Sequence, residues 1–176
     1  MKSFFVSLLG LIGFGSFAAQ TNTEVAPQFN NINREDVEIT KAHALASQTI
    51  KKFISLVKEQ KNVTYMAKLR FIDPDLSEKT GKDQFLYIWL TNVFYHEKEN
   101  ILSGEFFEVP SELKKWHQVG QRLGFDGDDV FDWMINDYGK VTGGFTLRVA
   151  RSRLKTEAEK LEYDQYVGIS ELESIE

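Results

Sequence analysis

The sequence predicts an α+β domain: an N-terminal amphipathic helix packed on a mostly antiparallel sheet of about five strands, then a C-terminal helix. Three observations predict it. Over 36–60, Ala42, Leu45, Ala46, Thr49, Ile50, Phe53 and Val57 recur at three- and four-residue spacing, the period of one helix face. Runs rich in β-branched and aromatic residues then follow between short polar turns, the pattern of hairpin-linked strands. Finally, Thr156 to Glu159 spells T-x-x-E, with Gly168 beyond it. That pairs a helix-starting capping box with a helix-ending glycine.

In chain order, residues 1–18 read as a secretory signal peptide. Lys2 is the sole charge before Glu24, Phe4 to Phe14 is apolar, and Ser16-Phe17-Ala18 offers small residues at a cleavage site. Cleavage is expected after Ala18 or Ala19, because the apolar run is short for a span of about 20 residues. A periplasmic or secreted protein follows, touching the membrane only through that signal during export. Residues 19–34 are polar, with Pro27 and three Asn close together, and read as a flexible leader. One domain over 35–168 and an acidic tail over 169–176 complete the division, and the tail is expected to fray.

Within the domain, the helix over 36–60 covers one face of the sheet. Val63 to Ile72 alternates, with Thr64, Lys68 and Arg70 on one side. Asp73-Pro74-Asp75 ends that strand, and 77–83 reads as a polar loop. Phe85 to Tyr95 is apolar on both faces, which suits a central strand. Ile101 to Val109 returns beside it, with Gly104 as a bulge or a close contact. Ser111 to His117 offers one helical turn, and Val119 to Phe125 a short strand. Val130 to Asn136 and Lys140 to Gly144 form strand, turn, strand, with a short helix over 129–136 as the competing assignment. The last helix lies within 145–167, with a break near Ser152 to Thr156.

Composition bounds the function. The 176 residues are 42% hydrophobic, 13% aromatic and 27% charged, with a net charge of -5. Fourteen Phe, six Tyr and three Trp need a core and exclude a disordered chain. The mean hydropathy of -0.32 excludes a bundle of membrane spans. An acidic chain makes a poor general nucleic-acid binder. With no cysteine, disulfides, thiolate metal sites and thiol nucleophiles are excluded.

No catalytic signature stands in the chain, and no cofactor or metal site is expected. Asp126, Asp128, Asp129 and Asp132 cluster, but their spacing does not match a calcium loop. His43, His96 and His117 lie far apart in sequence. Asp132 beside Trp133 is the sharpest feature. In one reading it is a carboxyl group raised in pKa by an aromatic pocket, acting with Glu105 or a histidine as acid or base. In the favoured reading it binds backbone amides at a turn while Trp133 fills the core, because no second catalytic partner is visible. Gly143-Gly144 lacks the other glycines and the lysine of a phosphate loop. It reads as a tight turn or a close approach, after which Thr146 caps a helix. Arg148, Arg151, Arg153 and Lys155 read as a solvated helix face. The candidate functional surface is Trp89, Asp132, Trp133, Gly143, Gly144, Thr146 and Arg148.

Two stretches carry a resemblance. One is Phe85-Leu86-Tyr87-Ile88-Trp89-Leu90 with Gly104-Glu105 and Pro110. The other is Asp132-Trp133-Met134-Ile135, Tyr138-Gly139 and Gly143-Gly144-Phe145-Thr146-Leu147-Arg148. Together they resemble the YegJ-like family of bacterial proteins, the domain-of-unknown-function family numbered 2314. The likeness covers about residues 36–155, and the charged extension beyond Lys155 departs from short members. The resemblance implies a fold and no activity. The expectation is therefore an exported, non-enzymatic domain that binds a protein or envelope component. The alternatives are a hydrolase using Asp132, and an inhibitor or immunity protein acting on an envelope-located toxin or hydrolase.

Overall fold

The computed structural model describes residues 36–174. The expected signal peptide and leader lie outside the described residues. Four helices and a seven-stranded sheet make up the α+β domain. Helix α1 (Val37–Lys58) starts at Asp36, whose carboxylate accepts from the amides of Glu38 and Ile39 at 3.1 and 3.3 Å. That satisfies two amides that have no partner within the helix. Ala42, Ala46, Phe53 and Val57 on its inner stripe are buried.

The strands are β1 (Thr64–Ile72), β2 (Phe85–His96), β3 (Ile101–Phe106), β4 (Arg122–Phe125), β5 (Val130–Asp137), β6 (Lys140–Gly143) and β7 (Glu171–Leu172). Their order across the sheet is β4-β3-β2-β1-β5-β6-β7. All pairs are antiparallel except β6 with β7, which is parallel. The sheet is thus mixed and larger than the five strands expected. Residues 130–136 are strand, so the competing short helix is overturned. Their partner Lys68 and its neighbours on β1 hold them in the ladder, and tertiary pairing decides where a short apolar run is ambiguous. Tyr138 and Gly139 have φ of 49° and 98°, both positive as a two-residue hairpin turn needs.

Two further expectations need correction. The loop over 77–83 is largely a helix, α2 (Pro74–Thr80). Asp73 caps it by accepting from Leu76 N at 2.9 Å, and Pro74 fits the first helical turn. The tail does not fray at Glu171–Leu172, which forms β7. Ile169 N donates to Asp164 O at 2.7 Å, turning the chain back after the helix. Glu171 and Leu172 then line up with Lys140 and Val141. Glu173 N donates to Val141 O at 3.0 Å, and Thr142 bonds the Glu173 carboxylate. An edge strand leaves a row of unpaired groups, and the tail satisfies them.

The sheet is covered on both faces. Leu86, Ile88 and Leu90 of β2 and Tyr65, Ala67 and Leu69 of β1 join the buried residues of α1 in the larger core. Trp133 sits there against Phe53, ring centroids 5.2 Å apart, and donates from Nε1 to Thr49 Oγ1 at 3.1 Å. The alternate residues Trp89 and Met134 form the second core. It is closed by α3 (Phe145–Ser152) and α4 (Glu157–Val167), through Leu147 and Tyr163. The break between these helices falls at 153–156, and Thr156 and Glu159 make the expected capping box. Among the described residues, no helix is long and apolar enough to cross a membrane.

Candidate functional site

The candidate residues meet where β5, β6 and α3 join. Pairing of β1 with β5 shifts register between Lys68 and Leu69: Lys68 faces Asp132, while Leu69 faces Val130. The extra residue, Phe131, makes a bulge, a device that re-aims neighbouring side chains. Asp132 thereby points at the start of α3. The N-cap of α3 is Gly144, which has no side chain to offer. Asp132 supplies the cap from a different strand. Its Oδ1 accepts from Trp133 N at 2.8 Å and Phe145 N at 3.2 Å. Its Oδ2 accepts from Thr146 N at 2.7 Å and Thr146 Oγ1 at 2.6 Å.

Lys68 completes the cluster, its Nζ donating to Thr146 Oγ1 at 3.0 Å. The same ammonium lies 5.1 Å from the centroid of the Trp89 ring, a cation–π distance. Lys68 and Thr146 are each 3% exposed and Asp132 is 0% exposed. Burial pushes the Lys68 amine down to about 8, although the Asp132 charge works the other way. Burial also raises the Asp132 carboxyl, against Lys68 and the hydrogen bonds from Thr146 and Trp133. Thr146 Oγ1 bridges the two groups, accepting from Lys68 and donating to Asp132, and each group's charge favours the charged form of the other. In residue types, a lysine, a hydroxyl and a carboxylate are a set that can activate a nucleophile. Here the hydroxyl is bonded on both sides and sealed from solvent.

The other candidates build the same junction. Gly143 has φ 77°, and a Cβ there would lie 2.4 Å from Trp133 O and 2.8 Å from its ring. Only glycine fits. Gly144 N donates to Trp133 O at 2.8 Å. Arg148 Nε donates to Gly143 O at 2.7 Å, holding the turn from the helix side. Trp133 itself belongs to the α1 face, and Trp89 to the opposite one.

The residues weighed as catalytic partners do not join Asp132. Glu105 is on β3, three strand spacings away, or roughly 14 Å, and it pairs with Arg122. His43 Nδ1 is 2.9 Å from Phe131 O, His96 Nε2 is 2.8 Å from Ser103 Oγ, and His117 stacks on Phe106. Among the described residues no three His, Asp or Glu converge as a metal site. Asp129 instead accepts from Asp126 N at 3.0 Å. The expected solvated basic face holds in part: Arg153 and Lys155 are exposed, while Arg148 and Arg151 are partly buried. Arg151 makes a two-pronged pair with Asp164, both contacts at 2.7 Å. Arg153 bonds Asp36 and Glu38, tying the end of α3 to the start of α1.

Sequence reasoning missed two things. The alternation groups Lys68 with Thr64 and Arg70 on one side and does not mark it as buried. The signal for its burial was the neighbouring strand: Phe85 to Tyr95 is apolar on both faces, so its partner is covered on both faces too. The second omission is a pocket of about 330 Å³ on the second face. Met66, Trp89 and Met134 form its floor, and Leu147, Tyr166 and Val167 one wall. Phe107 and Glu108, just past β3, form the other. Trp89 Nε1 is, among the described residues, a buried polar atom without a hydrogen-bond partner.

No curated protein and no solved structure matches the chain. A bacterial family described as "Uncharacterized protein conserved in bacteria (DUF2314)" matches residues 36–170. That match runs from the cap of α1 to the turn before β7 and takes in the whole β5–β6–α3 junction, and the chain belongs to this family.

Proposed function

We propose that the protein is an exported, non-enzymatic binding domain of the bacterial envelope. One observation carries the non-enzymatic part. Lys68, Thr146 and Asp132 are sealed at 3% exposure or less and bonded to one another and to the amides of α3. A catalytic group must reach its substrate, and these groups reach only the fold. The export part rests on the pattern of residues 1–18. An inhibitor or immunity role is one form of the same binding function, and the YegJ-like likeness belongs to this reading as well.

The test has two arms. Cell fractionation with N-terminal sequencing is expected to find the protein outside the cytoplasm, beginning at Ala19 or Gln20. A cytoplasmic protein with an intact N-terminus overturns export. In the second arm, residues 19–176 are used to capture partners from an envelope extract, and each captured protein is purified and titrated back. A saturable 1:1 complex is expected. Repeated blanks, or hydrolysis of an envelope substrate that Asp132→Asn abolishes without unfolding, overturn the binding reading.

A further inference from the structure

The pocket on the second face is bounded by three strands, two helices and the segment after β3. Its volume of about 330 Å³ falls at the small end of ligand pockets, which run from about 300 to 1,000 Å³. That suits one compact molecule. The floor is soft and polarisable: Met66 and Met134 are direct cross-strand partners, and thioethers adapt to irregular apolar shapes. Trp89, Phe107 and Tyr166 add aromatic surface, which attracts cations at a ring face.

Glu108 is the ionisable group of the lining apart from the Tyr166 phenol. Burial alone raises its carboxyl group above the ordinary range. No hydrogen bond or ion pair holds it among the described residues. A half-buried carboxylate beside an apolar wall lacks compensation, and an incoming cation supplies it. An incoming anion would meet that carboxylate with no basic group on the lining. Lys68 lies under the Trp89 ring, but Asp132 and Thr146 already balance it.

We propose that this pocket binds a small organic cation with an apolar body, its charge beside Glu108 and its body over Trp89, Met66 and Met134. The test is methyl NMR of the protein with labelled methionines, titrated with benzyltrimethylammonium and separately with phenylpropionate. Expected is a saturable shift of the Met66 and Met134 methyls with the cation and none with the anion. Glu108→Gln and Phe107→Ala, whose unperturbed spectra show the fold intact, each weaken the cation about five- to tenfold. Phe107 is 45% exposed, so its removal leaves the core untouched. No saturable shift with the cation, equal binding of the anion, or unchanged affinity in Glu108→Gln each overturns the proposal.

Discussion

The two faces of the sheet are built from the same strands and solve the problem of burial differently. On the first face a single 22-residue helix lays Ala42, Ala46, Phe53 and Val57 over alternate residues of β1, β2 and β5. The result is an apolar core in which the one indole N–H, that of Trp133, is satisfied. On the second face the cover is an eight-residue helix and an eleven-residue helix rich in acidic residues. Of α4 only Tyr163 is buried, while Leu161 and Tyr166 stay more than half exposed. That face carries the buried Lys68 and Asp132, bridged by Thr146, together with the pocket and Trp89 Nε1, which has no hydrogen-bond partner among the described residues. A continuous amphipathic helix closes a sheet face; two short helices leave polar groups to be handled one by one.

The comparison is most sharply broken at its polar centre. Asp132→Asn leaves Lys68 buried without a counter-charge, and a loss of about 3–5 kcal/mol is expected in urea unfolding. Phe53→Ala on the first face costs a similar 3–5 kcal/mol, from a cavity. The two differ in rescue. Adding Lys68→Met restores much of the stability lost in Asp132→Asn, because no charge is then buried, and does nothing for Phe53→Ala.

The same pair gives the second face a pH signature that the first lacks. The Lys68 amine sits at about 8 in the folded state against an ordinary 10.5. Below about 8 it is charged in both states, and its burial cost is fully present. Between 8 and 10.5 the unfolded chain holds a proton that the folded chain has released, so stability rises with pH in that window. Asp132 has the opposite sign, its contribution falling as pH rises through its raised folded value. Urea titrations at pH values from 7 to 10 are expected to show the alkaline rise in the wild type and not in Lys68→Met.

The smallest effect marks the incomplete cover. Met66 lines the pocket and is only half-buried. Met66→Ala is expected to cost under about 2 kcal/mol, below the range for a fully enclosed methionine. A loss equal to that of Phe53→Ala would erase the contrast between the faces.

Much of this was legible in the chain. The three- and four-residue spacing marked α1, and the T-x-x-E string with Gly168 marked α4. The structural reading of Asp132, an aspartate on backbone amides beside a core tryptophan, matches its four hydrogen bonds. What escaped depended on distant partners. Lys68 is buried because Asp132 and Thr146 come to it from 64 and 78 residues away. The two residues of β7 have no periodicity to detect and become a strand only beside β6. The helix α2 is different: Asp73-Pro74 and Gly81 stand in the sequence as start and stop signals, but the segment between them has no buried residue and so no apolar period to mark it as a helix.

The parallel strand β7 also sets an order of events. Each pair in the sheet forms only when its later strand has been made: one side of β1 waits for β5, and the outer side of β6 waits for β7. The outer edge of β6 is the last to be covered, since Val141 must wait for Leu172. During synthesis that edge stands open while α3 and α4 are being made, a row of free amides and carbonyls able to recruit a strand from another molecule. The acidic residues Glu171 and Glu173, which meet Lys140 as they arrive, thus act as a late latch that closes this one edge, while β4 remains the edge at the other end of the sheet.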